Sequence, residues 1–137
     1  MRRIHIGLNV KDLDASVGFY SALFGAEPSV VKDDYAKWQL EDPRVNFSIT
    51  QRCKLDHDLH FGIQVEDEAE LAETAGRLRQ AGQQVVDEPS TVCCYHRSDK
   101  AWVADPQNLL WETFLTHGEA ADYGADNPEL EDLCCGS

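Results

Sequence analysis

Apolar and polar positions alternate in two segments of the chain, residues 4–10 and residues 59–65. In each segment an apolar side chain occupies every second position, which is typical of a β-strand with one buried face. A histidine stands among the intervening positions of each segment, His5 in the first and His60 in the second. Because successive side chains of a strand point to opposite faces, both histidines are predicted on the polar, small-residue face.

The two segments belong to an internal repeat with a shift of 55 residues, from His5 to His60. Histidine, glycine and valine recur at matching positions of the two segments. At the same shift Asp12 lies over Asp67, and Leu23 lies over Leu78. Self-similarity at a fixed spacing is the sequence signature of a repeated structural unit. The chain is therefore predicted to contain one module twice.

A helix is predicted after the first strand of each module. Asp12 is suited to be the N-cap of the first helix, and Gly25 is suited to end it. In the second module Asp67 begins the matching helix, which runs to about Ala81 with Gly82 after it. The apolar stripes are Leu13, Val17, Tyr20 and Phe24 in the first helix and Leu71, Ala75 and Leu78 in the second. Each stripe would cover the apolar face of its strands.

Three more strands are predicted in each module, with turn signals in front of the last one. They lie near Glu27–Val31, Tyr35–Leu40 and Val45–Gln51, and again near Gln84–Asp87, Ala101–Asp105 and Leu109–Leu115. The stretch 88–100 has few residues typical of a core and is predicted to be a long loop.

The predicted fold class is α+β, with two tandem βαβββ modules forming one curved mixed sheet. Module one covers about residues 1–53 and module two about residues 54–116, together a single domain. Residues 117–137 are acidic and rich in small side chains, so a flexible tail is expected there.

A metal site is predicted where the modules meet. Pseudo-twofold symmetry of a curved sheet would bring His5 and His60 together, and Glu112 of the last strand would join them. A carboxylate in an otherwise apolar strand is costly to bury without a partner, which favours a ligand role. Two histidines and one carboxylate leave coordination positions open and suit Fe(II) or a similar divalent ion. The remaining histidines are interpreted as bystanders: His57, His96 and His117.

The composition argues against some classes of binding partner. The net charge of −13 argues against nucleic acid or an anionic membrane surface. No apolar run approaches the roughly 20 residues that span a bilayer, and the basic start leads into a strand. A cytoplasmic location is therefore expected. In that reducing compartment cysteines are expected as thiols rather than disulfides.

Two adjacent cysteines, Cys93 and Cys94, fall within the predicted loop. Adjacent thiolates present soft sulfur ligands, which suit a thiophilic centre such as trivalent arsenic or Cd(II). Three neighbouring side chains would favour thiolate over thiol: His96, Arg97 and Lys100. Incidental adjacency of the two thiols is the competing interpretation.

A second cysteine pair, Cys134 and Cys135, lies near the C-terminus. This pair is interpreted either as accessory thiols that collect a thiophilic metalloid or as part of a mobile tail. Cys53 is interpreted as structural.

The doubled βαβββ pattern, with first-strand histidines and a last-strand glutamate, resembles the vicinal-oxygen-chelate superfamily. This superfamily includes glyoxalase I, extradiol dioxygenases and fosfomycin- and bleomycin-resistance proteins. Within it, the opening segment 5–25, residues 34–37 and the Cys93-Cys94 pair resemble the ArsI/CadI family.

The resemblance implies an Fe(II)-dependent C–As lyase that uses dioxygen to break the carbon–arsenic bond of trivalent methyl and aromatic arsenicals. Arsenic resistance would be its role. The implied metal ligands are His5, His60 and Glu112, and the implied substrate-binding thiolates are Cys93 and Cys94. No catalytic residue is implied beyond the metal ligands.

Two other functions remain open at this point. One is a non-catalytic cadmium- or arsenite-binding protein of the CadI type, and the other is a glyoxalase-like or extradiol enzyme with an organic substrate. The complete His5, His60 and Glu112 set favours an enzyme, and the Cys93-Cys94 pair favours arsenic. A homodimer, the preferred arsenical and the building of the site within one chain are left open.

Overall fold

The computed structural model describes residues 1–51, 59–93 and 96–119. Its elements follow the strand-helix-strand-strand-strand order twice. They are β1 Arg3–Asn9, α1 Leu13–Phe24, β2 Val30–Lys32, β3 Tyr35–Glu41, β4 Arg44–Thr50, β5 Leu59–Gln64, α2 Glu68–Gln80, β6 Val86–Cys93, β7 His96–Ala104 and β8 Leu110–Glu119. The predicted α+β class and doubled module are confirmed. Among the described residues, no helix is long and apolar enough to cross a membrane.

The strands form one eight-stranded sheet in the order β2-β3-β4-β1-β5-β8-β7-β6. The first strands of the two modules, β1 and β5, pair antiparallel at its centre. Each pairs in parallel with the last strand of its own module, β1 with β4 and β5 with β8. The two halves of the sheet are therefore related by a pseudo-twofold axis between β1 and β5.

Helix α1 covers the apolar face of module one as its stripe predicted. The side chains of Leu13, Val17, Tyr20 and Phe24 all pack in a cluster around Trp38, which is fully buried. The Asp12 side chain accepts a hydrogen bond of 3.0 Å from the Ala15 amide. At the other end Gly25 has a φ of 66°, a left-handed conformation that glycine adopts without strain.

Helix α2 covers the same face of module two with smaller side chains. Its N-cap is Asp67, whose side chain accepts a hydrogen bond of 2.8 Å from the Glu70 amide. The helix carries no aromatic residue, and a cavity of about 470 Å³ lies between it and the sheet, lined in part by Ile63, Leu78 and Trp111. Both helices lie on one face, so the opposite, concave face is free to carry a site.

The prediction of a long loop over residues 88–100 is wrong. In the structure, β6 continues to Cys93 and β7 begins at His96, and the two strands pair antiparallel. The prediction failed because this hairpin buries polar side chains, among them Glu88, Ser98 and Lys100. A strand whose inward positions are polar has no hydrophobic alternation to find.

Two further strand boundaries differ from the sequence-based expectation by three residues or more. Strand β8 extends to Glu119, so the first residues of the expected tail belong to the sheet. Strand β2 begins only at Val30, because Pro28 cannot donate a ladder hydrogen bond. Residues 120–137 lie outside the described part of the chain.

Candidate metal centre

The three predicted metal-ligating residues meet on the concave face at the centre of the sheet. His5 lies on β1, His60 on the adjacent β5, and Glu112 on β8 beyond it. One ligand atom from each residue lies within 4.8 Å of the other two. All three side chains are buried. Strand pairing thus brings together, in a single chain, residues that are far apart in the sequence.

The distances favour a cation between these residues. Nε2 of His5 is 3.0 Å from Nε2 of His60, and Oε2 of Glu112 is 3.7 Å from the same His60 atom. Glu112 Oε2 is buried and has no hydrogen-bond partner in the structure as described. A buried carboxylate oxygen without a partner carries a large desolvation cost, which a bound cation would offset. Two imidazoles and a carboxylate are a donor set that suits a divalent transition metal.

Two glycines make room for these side chains. A Cβ atom on Gly7 would lie 2.2 Å from Cε1 of His60, which pairs with Gly7 across β1 and β5. A Cβ on Gly62 would lie 2.5 Å from the backbone oxygen of Glu112 and 2.6 Å from its Cγ. All three distances are far below van der Waals contact. The repeated glycine of each first strand is therefore required for a ligand on a neighbouring strand to fit.

The ring of His5 is oriented by Asn46 of β4. Nδ1 of His5 is 3.1 Å from the Asn46 backbone oxygen and 3.2 Å from its Oδ1. A carbonyl oxygen only accepts, so Nδ1 carries the proton and donates it, and Nε2 presents its lone pair to the site. Asn46 Nδ2 in turn donates to Gln64 Oε1 over 3.3 Å, and Gln39 Nε2 donates to the same oxygen over 2.9 Å.

The electrostatics keep His5 in the form that binds metals. Burial, the largest cause, lowers the pKa of His5 to about 4, although the charge of Glu112 opposes this. His5 is therefore a neutral imidazole at pH 7, with a lone pair available for coordination.

Lys100 is a site residue whose position the sequence did not reveal. It was expected to lie in a loop and to act on the cysteines. Instead it is buried on β7, with Nζ 3.5 Å from Glu112 Oε1. The available signal was the alternation of Ser98, Lys100 and Trp102 on one side of β7, which is visible only once the stretch is known to be a strand.

Asn46 also had no assigned role in the sequence, although a signal existed. In β4, Asn46, Ser48 and Thr50 alternate with apolar residues, so three buried polar side chains face the site. The strand register shows one further correspondence between the two modules. Gly7 pairs with Ser48 in module one as its repeat counterpart Gly62 pairs with Glu112 in module two.

Only some of the remaining predicted residues lie in the described part of the chain. Cys93 is the last residue of β6, and its backbone pairs with that of His96. His117 lies on β8, with Nε2 2.8 Å from Asp99 Oδ2 and away from the metal site. Five residues singled out in the sequence lie outside the described ranges: Cys53, His57, Cys94, Cys134 and Cys135.

Comparison with known proteins agrees with the fold. Residues 2–113 match the model of the Glyoxalase/Bleomycin resistance protein/Dioxygenase superfamily. The Mn(II)-bound glyoxalase of Novosphingobium aromaticivorans superposes with a TM-score of 0.58 at 19% identity, covering 96% of this chain and 44% of that one. Homoprotocatechuate 2,3-dioxygenase of Arthrobacter globiformis gives 0.59 at 18% identity, over 88% of this chain and 37% of that one. The chain belongs to this superfamily.

Relatives that match this chain over most of its length identify its family within the superfamily. The trivalent organoarsenical cleaving enzyme of Bacillus sp. (strain MD1) is 42% identical over 98% of this chain and 83% of that protein. The protein of the same name in Thermomonospora curvata is 38% identical over 88% of this chain and 81% of its own. Cadmium-induced protein CadI of Mycobacterium tuberculosis is 32% identical over 98% and 93%. Within the superfamily, the chain is a member of the ArsI/CadI family.

Proposed function

We propose that this protein is an Fe(II)-dependent C–As lyase that uses dioxygen to cleave trivalent methyl and aromatic arsenicals, and that it confers arsenic resistance in the cytoplasm. The observation that carries the proposal is the buried Glu112 Oε2, which has no hydrogen-bond partner among the described residues and belongs to a group whose ligand atoms, with those of His5 and His60, lie within 4.8 Å of one another. The names of the relatives supply the substrate class.

The proposed roles follow from the position of each side chain. His5, His60 and Glu112 would hold the metal, which when bound supplies dioxygen activation and Lewis acidity. Asn46 keeps Nε2 of His5 available as a lone-pair donor. The buried, mostly strand-built cup limits the access of water to the centre, which strengthens electrostatic interactions within it.

The thiolates of Cys93 and Cys94 are proposed to bind trivalent arsenic. Soft sulfur ligands match a thiophilic centre, whereas the oxygen and nitrogen ligands of the metal site match a harder ion. Cys93 ends β6, the edge strand that pairs with β7, and in this register Val86 rather than Cys93 lies level with Glu112. Separate donor sets for arsenic and iron would hold the substrate and the metal at the same time.

The proposed reaction is balanced without an external reductant. For methylarsenous acid, the carbon–arsenic bond breaks and the methyl carbon is oxidised by four electrons to formaldehyde. Dioxygen accepts the four electrons, and arsenic leaves in its trivalent state as arsenous acid. One molecule each of methylarsenous acid and dioxygen gives one molecule each of arsenous acid and formaldehyde.

The test is anaerobic reconstitution with Fe(II), addition of methylarsenite, and arsenic speciation before and after admission of air. Arsenous acid and formaldehyde should form in equal amounts, and only after air enters. His60→Ala should bind less iron and form neither product. Equal yields with and without air would refute the dioxygen requirement.

The cysteine assignment has its own test. Cys93→Ser and Cys94→Ser should each lose arsenical binding and retain iron, because a hydroxyl is close in size to a thiol but is a hard ligand. The double change Cys134→Ser and Cys135→Ser is the matched control and should keep turnover. Wild-type turnover in both single variants would remove the ground for placing arsenic on these thiols.

The second candidate is a protein that sequesters Cd(II) or arsenite without turnover. The 32% identity to cadmium-induced protein CadI favours it. The same speciation experiment separates the two functions. Sequestration would leave methylarsenite unchanged in air and show tight Cd(II) binding that depends on the cysteines but not on His60.

A further inference from the structure

A buried lysine adjoins the candidate metal centre on the wall formed by module two. The side chain of Lys100 is 5% exposed, and lysine is among the residues least often buried in proteins. An ammonium group taken from water needs compensating partners, so its place in the interior calls for a specific role. Replacement by an apolar side chain of similar length would avoid that cost if Lys100 served only packing.

The ammonium distinguishes the two oxygens of Glu112. Oε1 lies 3.5 Å from Lys100 Nζ, whereas Oε2 lies 3.7 Å from Nε2 of His60. One oxygen therefore faces a cation of the protein, and the other faces the proposed metal position. The two oxygens of the carboxylate therefore have different neighbours.

Aromatic side chains confine the ammonium at this place. Nζ of Lys100 lies 5.3 Å from the ring centroid of Trp102 and 5.9 Å from that of Phe114. Both distances are within the range of cation–π attraction. The sheet register explains the arrangement, because Lys100 pairs with Phe114 while Trp102 pairs with Glu112. The four side chains form a compact group on β7 and β8.

We propose that Lys100 is a positioning residue that restricts Glu112 to coordination through Oε2 alone. This inference rests on the metal site proposed above. A carboxylate that is free to turn can bind a metal through both oxygens and so occupy one more coordination position. With Oε1 held by Lys100, that position stays available for substrate and dioxygen.

The test uses Co(II) as a spectroscopic probe under anaerobic conditions. High-spin Co(II) absorbs less strongly in the visible region as its coordination number rises. Lys100→Met should bind as much Co(II) as wild type, with weaker visible absorption, because Oε1 becomes free to coordinate. Turnover of the iron-loaded variant should fall by roughly 10- to 100-fold, as for loss of other contacts to metal ligands. Lys11→Met, at an exposed position, is the matched control and should leave both readouts unchanged.

A measurement on the wild-type protein does not depend on the folding of any variant. Difference infrared spectra with and without Co(II) should show the wide separation between antisymmetric and symmetric carboxylate stretches that marks a one-oxygen ligand. A narrow separation, or a Lys100→Met spectrum identical to that of wild type, would overturn the role of Lys100 while leaving the metal site intact. Absence of Co(II) binding to wild type would overturn both proposals.

Discussion

Gly7→Ala tests the most direct steric requirement of the centre. The new methyl carbon would lie 2.2 Å from Cε1, 2.7 Å from Nδ1 and 2.8 Å from Nε2 of His60. Carbon atoms in contact are normally about 3.5–4.0 Å apart. The imidazole must therefore move by more than about 1 Å, or the paired backbones of β1 and β5 must separate.

Two consequences can be given magnitudes. Forcing an extra methyl group into a well-packed interior costs about 1–3 kcal/mol, so the free energy of unfolding of the metal-free protein should fall by that amount. Metal–ligand distances tolerate about 0.2 Å, which is far less than the required displacement of His60. Metal affinity should therefore fall at least as much as for loss of an outer contact, by roughly 100-fold or more.

The assay is urea unfolding of the metal-free protein together with Co(II) titration at pH 7. Gly18→Ala is the matched control, because it lies in α1 and, apart from its chain neighbours and the adjacent helix backbone, no described atom lies within 4 Å of the added Cβ. That control should keep metal affinity and gain roughly 0.5–1 kcal/mol, since alanine is favoured over glycine in a helix. Gly7→Ala with the stability and metal affinity of wild type would refute the steric reasoning.

Asn46→Ala should weaken Co(II) binding by roughly tenfold, because one of the two acceptors of His5 Nδ1 is lost; an unchanged competition titration would show that the backbone oxygen suffices. In the metal-free protein the pKa of His5 is about 4, below its unfolded value of about 6.5. The unfolded chain therefore binds more protons between these pH values, and the stability contributed above pH 6.5 is lost as pH falls to 4, by roughly 3 kcal/mol at most. Urea unfolding should show the difference between wild type and His5→Gln shrinking over this range, and a constant difference would contradict the burial argument. Asp12→Ala should cost about 1 kcal/mol through loss of the N-cap, and an unshifted unfolding midpoint would contradict that role.

The sequence was informative about features that depend on local chemistry or on the internal repeat. The helix N-caps Asp12 and Asp67 and the stop at Gly25 were predicted because capping depends on local hydrogen bonds and backbone freedom. The proximity of His5 and His60 could be inferred because repeated modules associate symmetrically. These features depend on local chemistry or on the repeat itself.

The structural features that could not be predicted from the sequence depend on contacts between residues far apart in the chain. The β6–β7 hairpin was hidden because its inward side chains, including Glu88 and Lys100, are charged and yet buried. The contact between Lys100 and Glu112 depends on the register between β7 and β8, which no local pattern specifies. Gly7 likewise makes room for a residue of the other module, His60, which no local pattern around Gly7 reveals.

The register that sets Ser48 against Gly7, as Glu112 is set against Gly62, makes the centre asymmetric. A carboxylate at both positions would give a site with equivalent sides and no preferred direction of approach. At the matching positions module one presents the neutral Ser48, whereas the half built by module two carries Glu112 with Lys100 beside it. A duplicated fold thereby acquires a polarity: module two supplies the carboxylate, and module one has a neutral hydroxyl at the equivalent position.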